Sequence, residues 1–242
     1  MGLFAARCPV DAREQRWIDS SMAWFRKVFG AGPLHQAVVL PTVDFFPGAR
    51  PWTARDIPRV VAQVCRYAGV GRDRLDLEIY GGTEEKDLAA AAGLTYTSES
   101  VAGHYRRVNG RPVIGIDSAM AATPEQLVAT IAHELGHARL DDDRIDAERG
   151  DHEPLTDLLT VYLGLGVFTA NASFDVRRDG GRESTSRLGY LTEPMFGYGL
   201  ARYAWMRGEH RPDWAAHLDT NPRAYLKRGL RYLAATGGHE PR

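Results

Sequence analysis

The sequence predicts an α+β chain: a small mixed β-sheet packed on one helix, followed by a mainly helical C-terminal part. Three observations carry that expectation. Leu75, Leu77 and Ile79 alternate with acidic residues, the period of a half-buried strand. His104–Val108 and Pro112–Asp117 are two short strand-like runs joined by Asn109-Gly110, a pair that suits a two-residue hairpin turn. Beyond Thr123 the apolar residues fall at helical spacing through most of the remaining chain.

Taken in order, Asp11 to Phe29 reads as a helix with Trp17, Met22, Trp24, Phe25, Val28 and Phe29 on a broad apolar face. Gly30 to Pro33 ends it. Gln36–Leu40 is a short β-type run stopped by Pro41, and Thr42–Trp52 a loop rich in aromatics and prolines. Thr53–Ala68 places Ile57, Val60, Val61, Val64 and Cys65 at helical spacing. The strand Leu75–Tyr80 follows, Gly81-Gly82 turns the chain, and Glu84–Ala92 forms a short helix or a loop. After the hairpin, Thr123 is an N-cap candidate, Pro124 suits a first helical position, and Gln126 completes a capping box. Leu127, Val128, Ile131 and Leu135 then mark one apolar side. Asp141–Asp151 is a polar linker, Pro154–Phe168 a largely apolar helix, and Arg177–Ser186 a Gly/Arg/Ser loop. Thr192–Arg207 and Pro222–Leu233 are the C-terminal helices. The change from mixed to helical character lies near residue 120, dividing a 1–120 part from a 121–242 part within one compact catalytic unit.

Composition narrows the function classes. The chain has 242 residues, 44% hydrophobic and 25% charged, with a net charge of −1. That is an ordinary globular profile, and it offers no electrostatic case for nucleic acid or an acidic membrane surface. Cys8 and Cys65 form no Cys-x-x-Cys pair and are expected to be reduced thiols. The apolar stretch Leu3–Ala6 is too short for a signal-peptide core. No segment approaches the roughly 18–20 apolar residues of a membrane span. The expected location is cytoplasmic.

The chemistry-bearing segment is His133-Glu134-Leu135-Gly136-His137. Histidines four apart on a helix share one face and can bind one metal ion. Glu134 can reach a water beside that metal without ligating it. A catalytic zinc site takes a third protein ligand and keeps a fourth position open. Downstream, Glu153 and Asp157 are also four apart near a helix start, with fifteen residues between His137 and Glu153. Glu153 can complete the site, and Asp157 can accept a hydrogen bond from a ligating imidazole. His152 is the alternative third ligand. Pro154 biases Glu153 away from helical geometry, which predicts it at the helix N-cap.

A His-Glu-x-x-His helix followed by a helix with Glu-x-x-x-Asp resembles the gluzincin class of zinc metallopeptidases. The motifs cover residues 104–168; His152-Glu153 stands where thermolysin relatives have Asn-Glu. The resemblance implies a zincin-like fold, with His133, His137 and Glu153 as zinc ligands, Glu134 as catalytic base and Asp157 supporting a ligand. It also implies a sheet beside the active helix whose edge strand aligns a peptide or protein substrate, a place the Pro112–Asp117 strand would fill. The metzincin extension is absent, because Ala138-Arg139-Leu140 follows His137.

The implied reaction is metal-assisted hydrolysis of a peptide or amide bond, with Glu134 carrying the proton from water to the leaving amine. An oxyanion donor is also needed. Tyr190, Tyr198, His210 and His217 are candidates, and Tyr198 is favoured because Gly197 and Gly199 permit close approach. The alternative is a non-catalytic zinc-binding or regulatory protein that retains the metallopeptidase fold. His35, His104 and His239 have no partner spacing, and Asp141-Asp142-Asp143 lacks the alternation of a calcium loop.

Overall fold

The computed structural model describes residues 6–48, 50–81, 102–142, 150–173, 175–179, 182–186 and 190–238. The expected Glu84–Ala92 element and His239 lie outside the described residues. The architecture is mixed α and β with helix predominant. It groups into two compact units, one of Pro41–Ile145 and one of Met1–Leu40 with Asp146–Arg242. Neither boundary falls near residue 120, where the sequence pattern changes.

In the Pro41–Ile145 unit, three strands form one sheet in the order β1-β3-β2: β1 (Asp76–Tyr80), β2 (Gly103–Val108) and β3 (Arg111–Asp117). β1 pairs with β3 in parallel and β2 with β3 antiparallel. The hairpin forms as expected. Asn109 and Gly110 take φ of 52° and 80°, the left-handed values a tight two-residue turn requires. Helix α4 (Pro124–Asp142) packs on β2 and β3, and α3 (Ile57–Ala68) packs on α4. Ile57, Val60, Val61 and Val64 of α3 are fully buried, as are Ile114 and Ile116 of β3 and Leu127, Val128, Ile131 and Leu135 of α4. Burial on α4 is not confined to one stripe: Ala129, Ala132, Glu134, His137 and Ala138 are buried too. The sheet order corrects one expectation. β3 is the central strand, with both its edges already paired, so it has no edge to offer a substrate; among the described residues β2 has one.

Pro124 opens α4 as expected, and Thr123 precedes it. Its N–H and its hydroxyl both donate to the Met120 carbonyl, at 3.0 and 3.3 Å.

The other unit is largely helical. Its helices are α1 (Ala12–Phe29), the short α2 (Gly32–His35), α5 (His152–Tyr162), α6 (Gly166–Ala172), α7 (Glu193–Met206) and α8 (Thr220–Thr236). α1 begins with a full capping box, Asp11 with Glu14. The expected single helix Pro154–Phe168 is two helices, broken where Gly164 adopts φ 83°. Gln36–Leu40 forms no strand. Val38 and Val39 are buried, and Val39 N–H donates to Gly164 O at 2.9 Å, an isolated contact and not the ladder of a strand. Residues expected as a loop form an antiparallel strand pair instead, β4 (Asp175–Asp179) against β5 (Arg182–Ser186).

α7 and α8 approach closely through glycine. A Cβ on Gly197 would lie 2.2 Å from Tyr225 Cβ, and one on Gly229 2.6 Å from Ala201 Cβ. A Cβ on Gly199 would lie 2.8 Å from Leu158 Cδ1 of α5. The glycines around Tyr198 therefore serve helix packing. No helix among the described residues is long and apolar enough to cross a membrane. Cys8 and Cys65 are both free, and burial pushes the Cys65 thiol up to about 11.

Candidate metal centre

His133 and His137 sit one turn apart on α4, and their Nε2 atoms lie 3.1 Å from each other. The ring planes are nearly perpendicular, at 83° with centroids 4.8 Å apart. Two nitrogens bound to one tetrahedral zinc at ordinary bond lengths are separated by roughly 3.3 Å, so the pair suits a shared ion. One ligand atom each from His133, His137 and Glu153 falls within 4.8 Å of the other two. Two imidazoles and a carboxylate are a donor set that could hold a metal ion.

Glu153 does not sit at the helix N-cap. Asp151 is the N-cap of α5, which places His152 and Glu153 in the first turn. Pro154 is tolerated there because the first-turn N–H groups have no partner within the helix. Asp151 is held from α1, since Trp17 Nε1 donates to its Oδ2 at 2.8 Å. Sequence periodicity suggested only an apolar role for Trp17; an indole that anchors the turn carrying Glu153 was not legible in it. His152 is not in the three-residue cluster.

Glu134 is buried at 6% exposure and lies against β2. A Cβ on Gly103 would sit 3.0 Å from Glu134 Oε1 and 2.5 Å from Thr130 Cγ2. Glycine at 103 thus makes room for the carboxylate beside the strand.

Asp157 is 2% exposed, and its Oδ2 accepts the N–H groups of Tyr190 and Leu191 at 2.6 and 3.1 Å. It therefore ties the chain before α7 onto α5, one turn beyond Glu153. Tyr198, favoured above as the oxyanion donor, is fully buried, and its hydroxyl lies 3.1 and 3.3 Å from the Asp19 carboxylate oxygens. Asp19 also pairs with Arg202 Nε at 2.9 Å. Burial holds the Tyr198 phenol well above its usual range, and the nearby Asp19 charge adds to this. A phenol committed to a buried ion pair does not reach a substrate, which corrects that assignment. Tyr190 differs: the residue is 58% exposed. His210 packs edge-on to Trp205, and His217 ends a 3-10 turn.

Asp141, expected in a linker, belongs to the last turn of α4 and accepts hydrogen bonds from Tyr105 and Arg107 of β2. Asp143 lies outside the described residues. His104 lies over Gly115, its paired residue on β3, beside the Tyr80 ring at 5.4 Å.

No protein-family model, curated protein or solved structure matches this chain.

Proposed function

We propose that this chain is a zinc-dependent, metallopeptidase-like hydrolase with a zincin-like core, cleaving peptide or amide bonds. The observation that carries this reading is the convergence of His133, His137 and Glu153 ligand atoms within 4.8 Å, with Glu134 next to His133 on the same helix. Zinc held there would supply Lewis-acid activation of water and of a substrate carbonyl. The chain's own groups do the rest. His133 and His137 present Nε2, and Glu153 contributes a negative charge. Glu134 takes a proton from water on one carboxylate oxygen and returns it to the leaving amine. The β2 edge runs along α4, and an extended peptide pairs with such an edge through main-chain hydrogen bonds. Of the two candidate tyrosines, Tyr190 is the exposed one and would donate to a developing oxyanion. A purely structural zinc site has no use for Glu134, and it would close its fourth position with Cys or His.

Metal analysis of the purified chain and a peptide-library hydrolysis assay test the proposal together. The expected result is about one zinc per chain, as a single site of this kind requires. Glu134→Gln should keep that zinc and lose on the order of 10²–10⁴ in hydrolysis rate. A wild-type chain without metal, or a Glu134→Gln variant as active as wild type, removes the enzyme reading. Zinc without hydrolysis by the wild type favours the regulatory alternative.

A further inference from the structure

Alternate residues of β2 meet successive turns of α4. Gly103 lies against Thr130 and Glu134. The Tyr105 ring stacks on the His137 imidazole, with centroids 5.8 Å apart and planes 16° from parallel. Arg107 Nε donates to Asp141 Oδ2, and the Tyr105 hydroxyl donates to the same oxygen. Residues two apart on a strand advance about 6.6–6.8 Å, and residues four apart on a helix about 6 Å. Strand and helix therefore stay in step across these contacts and run in the same direction.

This arrangement bears directly on His137. The helix fixes its Cβ, but the imidazole still turns about two side-chain torsions. A near-parallel ring packed against it in an offset stack limits that freedom. The stacking ring is itself held at its far end, because Asp141 is one turn beyond His137 on α4 and Arg107 two residues beyond Tyr105 on β2.

We propose that Tyr105 is a positioning residue of the metal site: its ring, tethered through Asp141 and Arg107, holds the His137 imidazole in the plane that aims Nε2 at the ion. The inference rests on the zinc reading given above. It assigns to the edge strand a task separate from substrate alignment, that of setting a ligand's geometry before metal arrives.

Zinc affinity of the full chain, measured by competition with a chromophoric chelator, tests it. Tyr105→Leu should weaken zinc binding by about 10–100-fold, the range seen when a group that orients a ligand is lost. Tyr105→Phe, which keeps the ring and loses the tether, should fall between Tyr105→Leu and wild type. In metal-free protein the His137 ring protons should be displaced upfield by the stacked phenol, and Tyr105→Leu should abolish that displacement. A merely structural role would lower the thermal midpoint without moving zinc affinity. Wild-type affinity in Tyr105→Leu, or no ring-current displacement at His137, overturns the proposal. Should Tyr105→Leu not fold, Tyr105→Phe and Asp141→Asn carry the test, and wild-type affinity in both overturns it. A wild-type chain that binds no zinc removes the zinc reading itself, while the His137 ring protons still decide whether Tyr105 orients that imidazole.

Discussion

The Nε2 atoms of His133 and His137 face each other at 3.1 Å across one turn of α4. At that separation each nitrogen is placed either to share a proton with the other or to share a metal ion with it. The shared ion is the arrangement that also employs Glu153, whose ligand atom lies within 4.8 Å of both.

If the three residues form one site, their substitutions should not be equivalent to that of the neighbouring His152. His133→Ala or His137→Ala should leave the purified chain essentially free of zinc. Glu153→Ala should weaken zinc binding by more than the roughly 10–100-fold that loss of a supporting partner costs, and His152→Ala should leave it near wild type. Elemental analysis and chelator competition read both. A His152→Ala loss equal to that of Glu153→Ala would exchange their roles.

Gly103 is tested by adding a single methyl group. Its Cβ would press on Thr130 Cγ2 at 2.5 Å and on Glu134 Oε1 at 3.0 Å. Gly103→Ala should lower stability by about 1–3 kcal/mol through overpacking and reduce hydrolysis while zinc stays bound. Thr130→Ser removes the methyl at the closest contact, so the double variant should recover part of the lost stability in chemical denaturation. No recovery would mean that the strain lies elsewhere.

Tyr198 belongs to a buried polar group with Asp19 and Arg202. Tyr198→Phe should cost about 1 kcal/mol, the worth of one hydrogen bond, and leave zinc content and catalytic rate unchanged. A large fall in rate with an unchanged thermal midpoint would restore Tyr198 to the reaction. Asp19 also predicts a pH dependence. Burial raises its carboxyl above the ordinary value of 3.8, with Arg202, Tyr198 and Gln15 opposing. Its contribution to stability is therefore fully present below the unfolded-state value and is lost as pH rises through the folded-state value. Asp19→Asn should remove that slope. Denaturation of both chains from pH 4 to pH 7 checks this: the wild type should lose stability relative to the variant as pH rises.

Asp157 accepts two consecutive backbone N–H groups. Asp157→Ala should leave the amides of Tyr190 and Leu191 without their acceptor and cost about 1.5–3 kcal/mol, as hydrogen bonds to a charged group do. Hydrogen exchange at those two amides should accelerate well beyond that of the α7 interior. Unchanged exchange there would show that the segment is held by other contacts.

Where a short stretch of residues decides its own conformation, the sequence alone was sufficient. The turn at Asn109-Gly110, the helix opening at Pro124 and the apolar spacing of α3 all depend on neighbours a few positions away. So does the pairing of His133 with His137, because an i, i+4 spacing has one meaning on a helix. The tertiary structure decided whatever depends on distant partners. It made β3 the central strand rather than an edge, because sheet order is set by which strands find each other. It divided the expected helix at Gly164 and committed Tyr198 to Asp19, 179 positions away in the chain. It also set Tyr105 on His137 and Gly103 beside Glu134. Neither contact leaves a trace in local spacing, because a strand and a helix come into step only once both are packed, and that fit decides how the histidines and Glu134 are held.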